Sequence, residues 1–368
     1  MKKLLELTII LLLTIACSNE SPQTVNLQTG NWDPNVRKSL TDLMNSHPKN
    51  AYAVFDFDQT SIVHNISHAV WTFQIEQLRF ADAPRHLFLD GIPSPEDLMP
   101  GTELTFAQMG AILAAEYQSL HTKRNEGVPL TTIHQSDEFL DFRARMLSFL
   151  EKIDEQYGSS ISFLWLPGQM TGYTQTEATN LIREAIAQSL GKDKLTLEQW
   201  RSPDGCWGGD ILRGIWVSPE IKDLYLCLQK AGIETYICSA TWEPIVQALA
   251  CDAQLGFGLP ADHVYGLRLK AGQTIMAEYQ PDYIQPFKNG KVENIRTYMA
   301  PAHNNTEPVL IAGDSNGDVP MLTEFEKMQH GLIIDVGRSE QSAIGKLIRL
   351  AKQENNSGKY LAQPTFEQ

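Results

Sequence analysis

Short apolar runs alternate along this chain with stretches of helical period, and the best-defined runs stop abruptly at polar chemistry. Residues 51–55, Ala-Tyr-Ala-Val-Phe, are followed by Asp56-Phe57-Asp58-Gln-Thr60. An apolar run this short and this complete predicts a strand covered on both faces of a parallel sheet. Asp56 and Asp58, two residues apart on an extended backbone, point to the same side. Ligands of open α/β sheets bind beyond the carboxyl ends of the strands, so one carboxylate is placed to attack and the other to handle a proton. Residues 309–312 repeat the pattern and lead into Gly313-Asp314-Ser-Asn-Gly-Asp318; residues 233–238 end at the hydroxyl of Ser239; residues 263–269 and 331–336 add two more strands.

Helices are expected between these strands. Asp33-Pro34 starts one that ends before Pro48, Ser218-Pro219 starts another that stops at Gly232, and further helices are predicted over 243–251, 291–299 and 319–328. Residues 273–284 suit a small β-hairpin. About 180 residues separate Thr60 from Ser239, far more than a crossover needs, so a second domain is inserted there. Its legible parts are helical (105–121, 138–157 and 176–190), while 200–216, rich in Gly, Trp and Asp, has no assignable period. The expected fold is a doubly wound α/β core formed by 33–65 and 213–353, with 66–212 as a mostly α-helical cap and 354–368 as a loose polar tail.

Composition narrows the setting. The chain has 368 residues, 42% of them apolar, which suits a core plus an insertion. A net charge of −14 without any basic run argues against nucleic acid as a partner. Lys2-Lys3 and the apolar stretch 7–16 read as an export signal over 1–16. Leu13-Thr-Ile-Ala16-Cys17 resembles a bacterial lipoprotein processing site, which makes Cys17 the expected acylated residue and 17–32 a tether to an extracytoplasmic membrane face. Thr14 stands where leucine is usual, which leaves cleavage without lipidation open. Cys206, Cys227, Cys238 and Cys251 lack zinc-site spacing, and no essential disulfide is expected.

Acid, hydroxyl, lysine and acid, in the order Asp56, Ser239, Lys291, Asp314, resemble the haloacid dehalogenase-like hydrolase superfamily, in its phosphoserine phosphatase-like branch. The resemblance implies that Asp56 is a nucleophile forming an aspartyl-phosphate and that Asp58 is the general acid; the dehalogenases of that superfamily lack the second carboxylate. It further implies that Thr60, Ser239 and Lys291 contact the phosphate, and that Mg²⁺ is held by Asp56, the Asp58 carbonyl and Asp314, with Asp318 supporting the metal or the lysine. Lys288 competes with Lys291 for the cationic role. His64 and His68 suit substrate contacts better than metal ligation in a site so rich in oxygen.

Export signal, the Asn31-Trp32-Asp33-Pro34 opening, 53–58 and the long cap resemble the secreted bacterial phosphorylcholine phosphatases. Phosphoserine phosphatases share the catalytic residues but have a shorter cap and no export signal. The implied substrate is a small phosphorylated metabolite, first phosphocholine, with Trp71, Trp242 and the tryptophans of 200–216 as aromatic contacts and Glu243 as a counter-charge. Phosphotransfer to another alcohol is an alternative outcome. A binding lipoprotein on the same fold is another, which Asp58 opposes.

Overall fold

The computed structural model describes residues 24–46, 48–81 and 88–366. The expected export signal and Cys17 lie outside these residues, and among the described residues no helix is long and apolar enough to cross a membrane.

Asp33 caps α1 (Pro34–Asn45) by accepting from the amides of Asn35 and Val36. The chain then forms β1 (Tyr52–Phe55) and α2 (Ile66–Glu76). The insertion contributes α3 (Phe106–Asn125), α4 (Asp137–Tyr157), α5 (Ser159–Gly168), α6 (Gln175–Ser189) and an antiparallel hairpin, β2 (Thr196–Arg201) with β3 (Gly208–Arg213). The core resumes with α7 (Pro219–Lys230), β4 (Glu234–Trp242), α8 (Glu243–Ala250), β5 (Val264–Leu267) and a second hairpin, β6 (Leu269–Ala271) with β7 (Ile275–Tyr279). It closes with α9 (Asn289–Asn294), β8 (Leu310–Gly313), α10 (Val319–Glu324), β9 (His330–Asp335), α11 (Ala343–Gln353) and β10 (Tyr360–Pro364).

The main sheet runs β10-β9-β8-β1-β4-β5, and every pairing in it is parallel. β1 is therefore interior, and its side chains divide by the period of two. Ala53 and Phe55 pack with Val36, Leu40, Leu224 and Leu228 of α1 and α7. Tyr52 and Val54 pack on the other face with Ile295, Met299, Leu322 and Ile348. These two helical layers explain why β1 and β8 are buried at every position and read as unbroken apolar runs.

The cap has its own core, in which Trp71, Phe88, Phe106, Phe142, Phe149, Trp165 and Trp200 cluster. α2 and α6 join it to the sheet, with Val70, Phe73, Ile182 and Ile186 packed against Trp242 and Ile245.

Two expectations are corrected and one unassigned stretch is resolved. The expected loose tail, 354–368, is ordered over its described residues, 354–366: β10 is the edge strand, Leu361 and Ala362 are buried, and Phe366 meets Trp32 edge-on at 4.9 Å. The Asn356 side chain brackets Ala362, accepting from its amide at 2.9 Å and donating to its carbonyl at 3.2 Å. The described end of the expected tether is docked as well, since Val25, Leu27 and Trp32 are buried against the core and Asn45 bonds both main-chain groups of Val25. Finally, 200–216 falls largely within the β2–β3 hairpin, so the cap is helical with a β-ribbon.

Candidate active site

At the carboxyl ends of β1, β4 and β8 lies a cavity of about 440 Å³, lined by Asp56, Asp58, Ser239, Lys291, Asp314 and Arg338 from the core and by Ser159 and Phe163 of α5 from the cap. Asp56 comes directly after the last residue of β1 and its amide donates to the Ala312 carbonyl at 2.9 Å, which anchors it to β8. Beyond it the chain turns tightly, with the amides of Thr60, Ser61 and Ile62 all donating to the Phe57 carbonyl. Ser61 Oγ donates to the Asp56 carbonyl at 2.6 Å and meets the Tyr225 hydroxyl at 2.8 Å.

Lys291, at the start of α9, donates to Asp56 Oδ1 at 2.7 Å and to Asp318 Oδ1 at 2.6 Å. Burial works against its charge, yet the attraction of Asp318 and Asp56 prevails and holds the ammonium protonated well above its ordinary range. Lys288 lines the cavity too but is exposed; it is the ammonium of Lys291 that reaches Asp56. Asp318 is fully committed: its Oδ2 accepts from the amides of Asp314 and Ser315 and from Ser315 Oγ at 2.8 Å. A side chain at Gly313 would bring Cβ within 2.5 Å of Asp318, so only glycine permits this close approach.

Asp314 Oδ2 is met by Arg338 at 2.6 Å. The carboxylate oxygens of Asp56, Asp314 and Asp318 lie within 4.8 Å of one another. Burial, followed by repulsion from Asp318, pushes Asp314 up to about 7, and the same two causes raise Asp56 well above the carboxylate range. Among the described residues, the four clustered carboxylates, counting Asp58, have only Lys291 and Arg338 as close cationic partners, a deficit that suits a hard divalent ion held by oxygen. Asp56 and Asp314 fit as its carboxylate ligands. Asp318 does not, because both of its oxygens are occupied in fixing Lys291 and the loop after β8.

Asp58 is held separately, accepting at Oδ2 from Thr241 Oγ1 and at Oδ1 from the Ile66 amide, both at 2.6 Å. Burial pushes its pKa up to about 6, against the pull of those two hydrogen bonds. Ser239 Oγ accepts from the Thr241 amide at 3.1 Å, which leaves its own proton free for a ligand.

The family model for haloacid dehalogenase-like hydrolases matches residues 168–323, which include β4, Lys291 and the Asp314–Asp318 loop. Over that segment the chain is similar to the haloacid dehalogenase-like hydrolases. Phosphorylcholine phosphatase of Pseudomonas aeruginosa is 22% identical over 314 residues, covering 77% of this chain and 74% of that protein. A solved structure of a functionally unknown protein from Anaerococcus prevotii superposes with a TM-score of 0.77 at 23% identity, covering 93% of this chain and 97% of that one, and shares the fold. β1 lies outside the matched segment, but its parallel pairing with both β4 and β8 sets Asp56 and Asp58 among the matched residues.

Several predicted contacts fall elsewhere. Trp71 is buried in the cap core, 6.1 Å from Trp165 and 6.4 Å from Trp200, and Trp242 is buried where β4 meets α8, so neither lines the cavity. Thr60 is turned into a small pocket with Ser218 and Phe366 by the tight bend at Phe57. Glu243 is paired with Arg268 at 2.9 Å, which removes it as a counter-charge for a ligand. His64 is buried with Nδ1 3.0 Å from the Arg213 carbonyl, and His68 is held neutral by burial, down to about 4; neither is among the cavity's walls.

Other site residues were missed from sequence. Thr241 carried a signal, because it stands two residues after Ser239 as Asp58 does after Asp56. Arg338 also carried one, lying just past the carboxyl end of β9. α5 carried none: it is apolar on nearly every face, so no helical stripe announces it.

Proposed function

We propose that this chain is an exported, Mg²⁺-dependent phosphomonoesterase working through an aspartyl-phosphate on Asp56. The observation that supports this most is the second carboxylate, Asp58, fixed in the same cavity as Asp56 and raised by burial to about 6, where a carboxyl group can both give and take a proton. In the first step a bond forms between an Asp56 oxygen and phosphorus as the ester P–O bond breaks, and Asp58 gives its proton to the leaving oxygen. In the second step Asp58 takes a proton from water, whose oxygen bonds to phosphorus and frees Asp56. Ser239 donates to a phosphate oxygen, and Lys291 fixes and neutralises Asp56. Mg²⁺ on Asp56, Asp314 and the Asp58 carbonyl would neutralise the charge of the phosphate oxygens.

Phosphocholine is the first substrate to test, on the similarity to the Pseudomonas aeruginosa phosphatase. With Trp71 and Trp242 buried, a quaternary ammonium would have to use Phe163 and Phe287, the aromatic side chains lining the cavity. Lys288 and Arg338 in the same walls favour a second class, phosphorylated alcohols that bear a carboxylate, such as phosphoserine. Turnover of p-nitrophenyl phosphate with Mg²⁺, lost in EDTA and lost in Asp56→Asn, tests the reaction; a parallel screen of phosphocholine, phosphoethanolamine, phosphoserine and sugar phosphates tests the substrate. An Asp56→Asn variant with full activity would overturn the assignment. The export reading extends to a lipid on Cys17, and Cys17→Ser should release the protein from the membrane fraction.

A further inference from the structure

Asp58 is the group on which the proposed reaction turns, and it is held by a chain of hydroxyls rather than by a charge. Ser67 Oγ lies 3.0 Å from Thr241 Oγ1, which lies 2.6 Å from Asp58 Oδ2. Ser67 and Thr241 are both buried. They come from different elements: Ser67 from the first turn of α2, which joins cap to core, and Thr241 from the end of β4, where the pairing with β5 slips in register between Cys238 and Trp242. Such irregularities re-aim side chains near active sites, and here Ser239 and Thr241 both come to line the cavity.

We infer that Thr241, backed by Ser67, is a positioning residue for the general acid, its hydroxyl fixing Asp58 Oδ2 while the Ile66 amide fixes Oδ1. This rests on the phosphomonoesterase reading. A hydroxyl has one proton and two lone pairs. The one proton of Thr241 goes to Asp58 Oδ2 and a lone pair accepts from Ser67, so Thr241 fixes that oxygen without placing a charge beside it. In the first step Asp58 gives its proton to the leaving oxygen as the ester bond breaks, and in the second it takes one from water; no proton is gained or lost by either hydroxyl. The Ile66 amide alone restrains only Oδ1, which would leave the carboxyl group free to swing.

The test separates a role in proton delivery from a role in folding. Values of kcat/KM, which report steps up to the phosphoryl-enzyme, are measured for p-nitrophenyl phosphate, whose leaving group departs without a proton, and for an alkyl phosphate that the wild type turns over. Thr241→Val should lose about 10- to 100-fold on the alkyl ester and no more than about 3-fold on the aryl ester. Thr241→Ser should recover both esters to within about 3-fold, and Ser67→Ala should shift the ratio in the same direction by less. Equal losses on the two esters, or a Thr241→Ser variant as selective as Thr241→Val, overturn the inference while leaving the phosphatase reading intact. A wild type inert on every ester overturns that reading, and the role of Thr241 with it.

Discussion

The sheet edge and the cap face each other across one cavity, yet sequence motifs located functional groups well in one and poorly in the other. At the sheet edge, Asp56, Asp58, Ser239, Lys291 and Asp314 all line the cavity. In the cap, Trp71 and the aromatic Trp200 went into the hydrophobic core, and α5, with no recognisable pattern, supplied Ser159 and Phe163. The difference is one of constraint. A parallel strand delivers the residues just past its carboxyl end to one edge of the sheet whatever the rest of the chain does, whereas a helix in a bundle turns whichever face its neighbours leave uncovered. Large aromatics bury more area than any other side chain, so an aromatic-rich insertion commits them to its own core first.

That contrast can be broken most sharply at Asp56. Asp56→Asn should reduce kcat on the order of 10⁴-fold or more without lowering the thermal midpoint, because it removes a carboxylate from a crowded cluster rather than a contact from a core. Trp71→Ala should do the reverse. Its loss leaves a cavity among Trp165 and Trp200 and costs about 3–5 kcal/mol of stability by denaturant unfolding, while KM in the folded protein stays unchanged. A raised KM with unchanged stability would return Trp71 to the binding site.

A smaller effect concerns pH. Burial raises Asp58 to about 6, and burial followed by repulsion from Asp318 raises Asp314 to about 7, both from 3.8. Without metal, the folded protein keeps protons there that the unfolded chain releases, so stability is highest below the unfolded pKa and falls as pH rises through about 7. Thermal midpoints of EDTA-treated protein should fall across that window, and Asp314→Asn should flatten the fall. Mg²⁺ should restore the wild type at neutral pH and not the variant. The smallest effect is expected at the cap's own contribution: Phe163→Ala should raise KM about 3- to 10-fold for the preferred ester with little change in thermal midpoint.

The fold was largely legible because its signals are local. Unbroken apolar runs marked β1 and β8, Asp33-Pro34 and Ser218-Pro219 marked the starts of α1 and α7, and the long separation of Thr60 from Ser239 marked an insertion. The tail failed because Tyr360–Pro364 is short and preceded by a polar stretch, and an edge strand is recognised only by the partner that pairs with it. Residues around Val25 and Leu27 failed likewise, since two buried side chains in a polar segment have no period to read.

By itself, then, the sequence determined which residue types stand at the ends of which strands, since alternation and strand termination are properties of neighbouring residues and the sheet converts them directly into position. Only the tertiary structure decided how those groups are divided among tasks. It gave both oxygens of Asp318 to Lys291 and the loop after β8, set Arg338 on Asp314, tied Asp58 to Thr241 across 183 residues, and left Trp71, Trp242 and Thr60 to packing. The physical reason is that a carboxylate has few oxygens and a hydroxyl only one proton, so which partner claims them depends on distances of a few tenths of an ångström between segments remote in the chain.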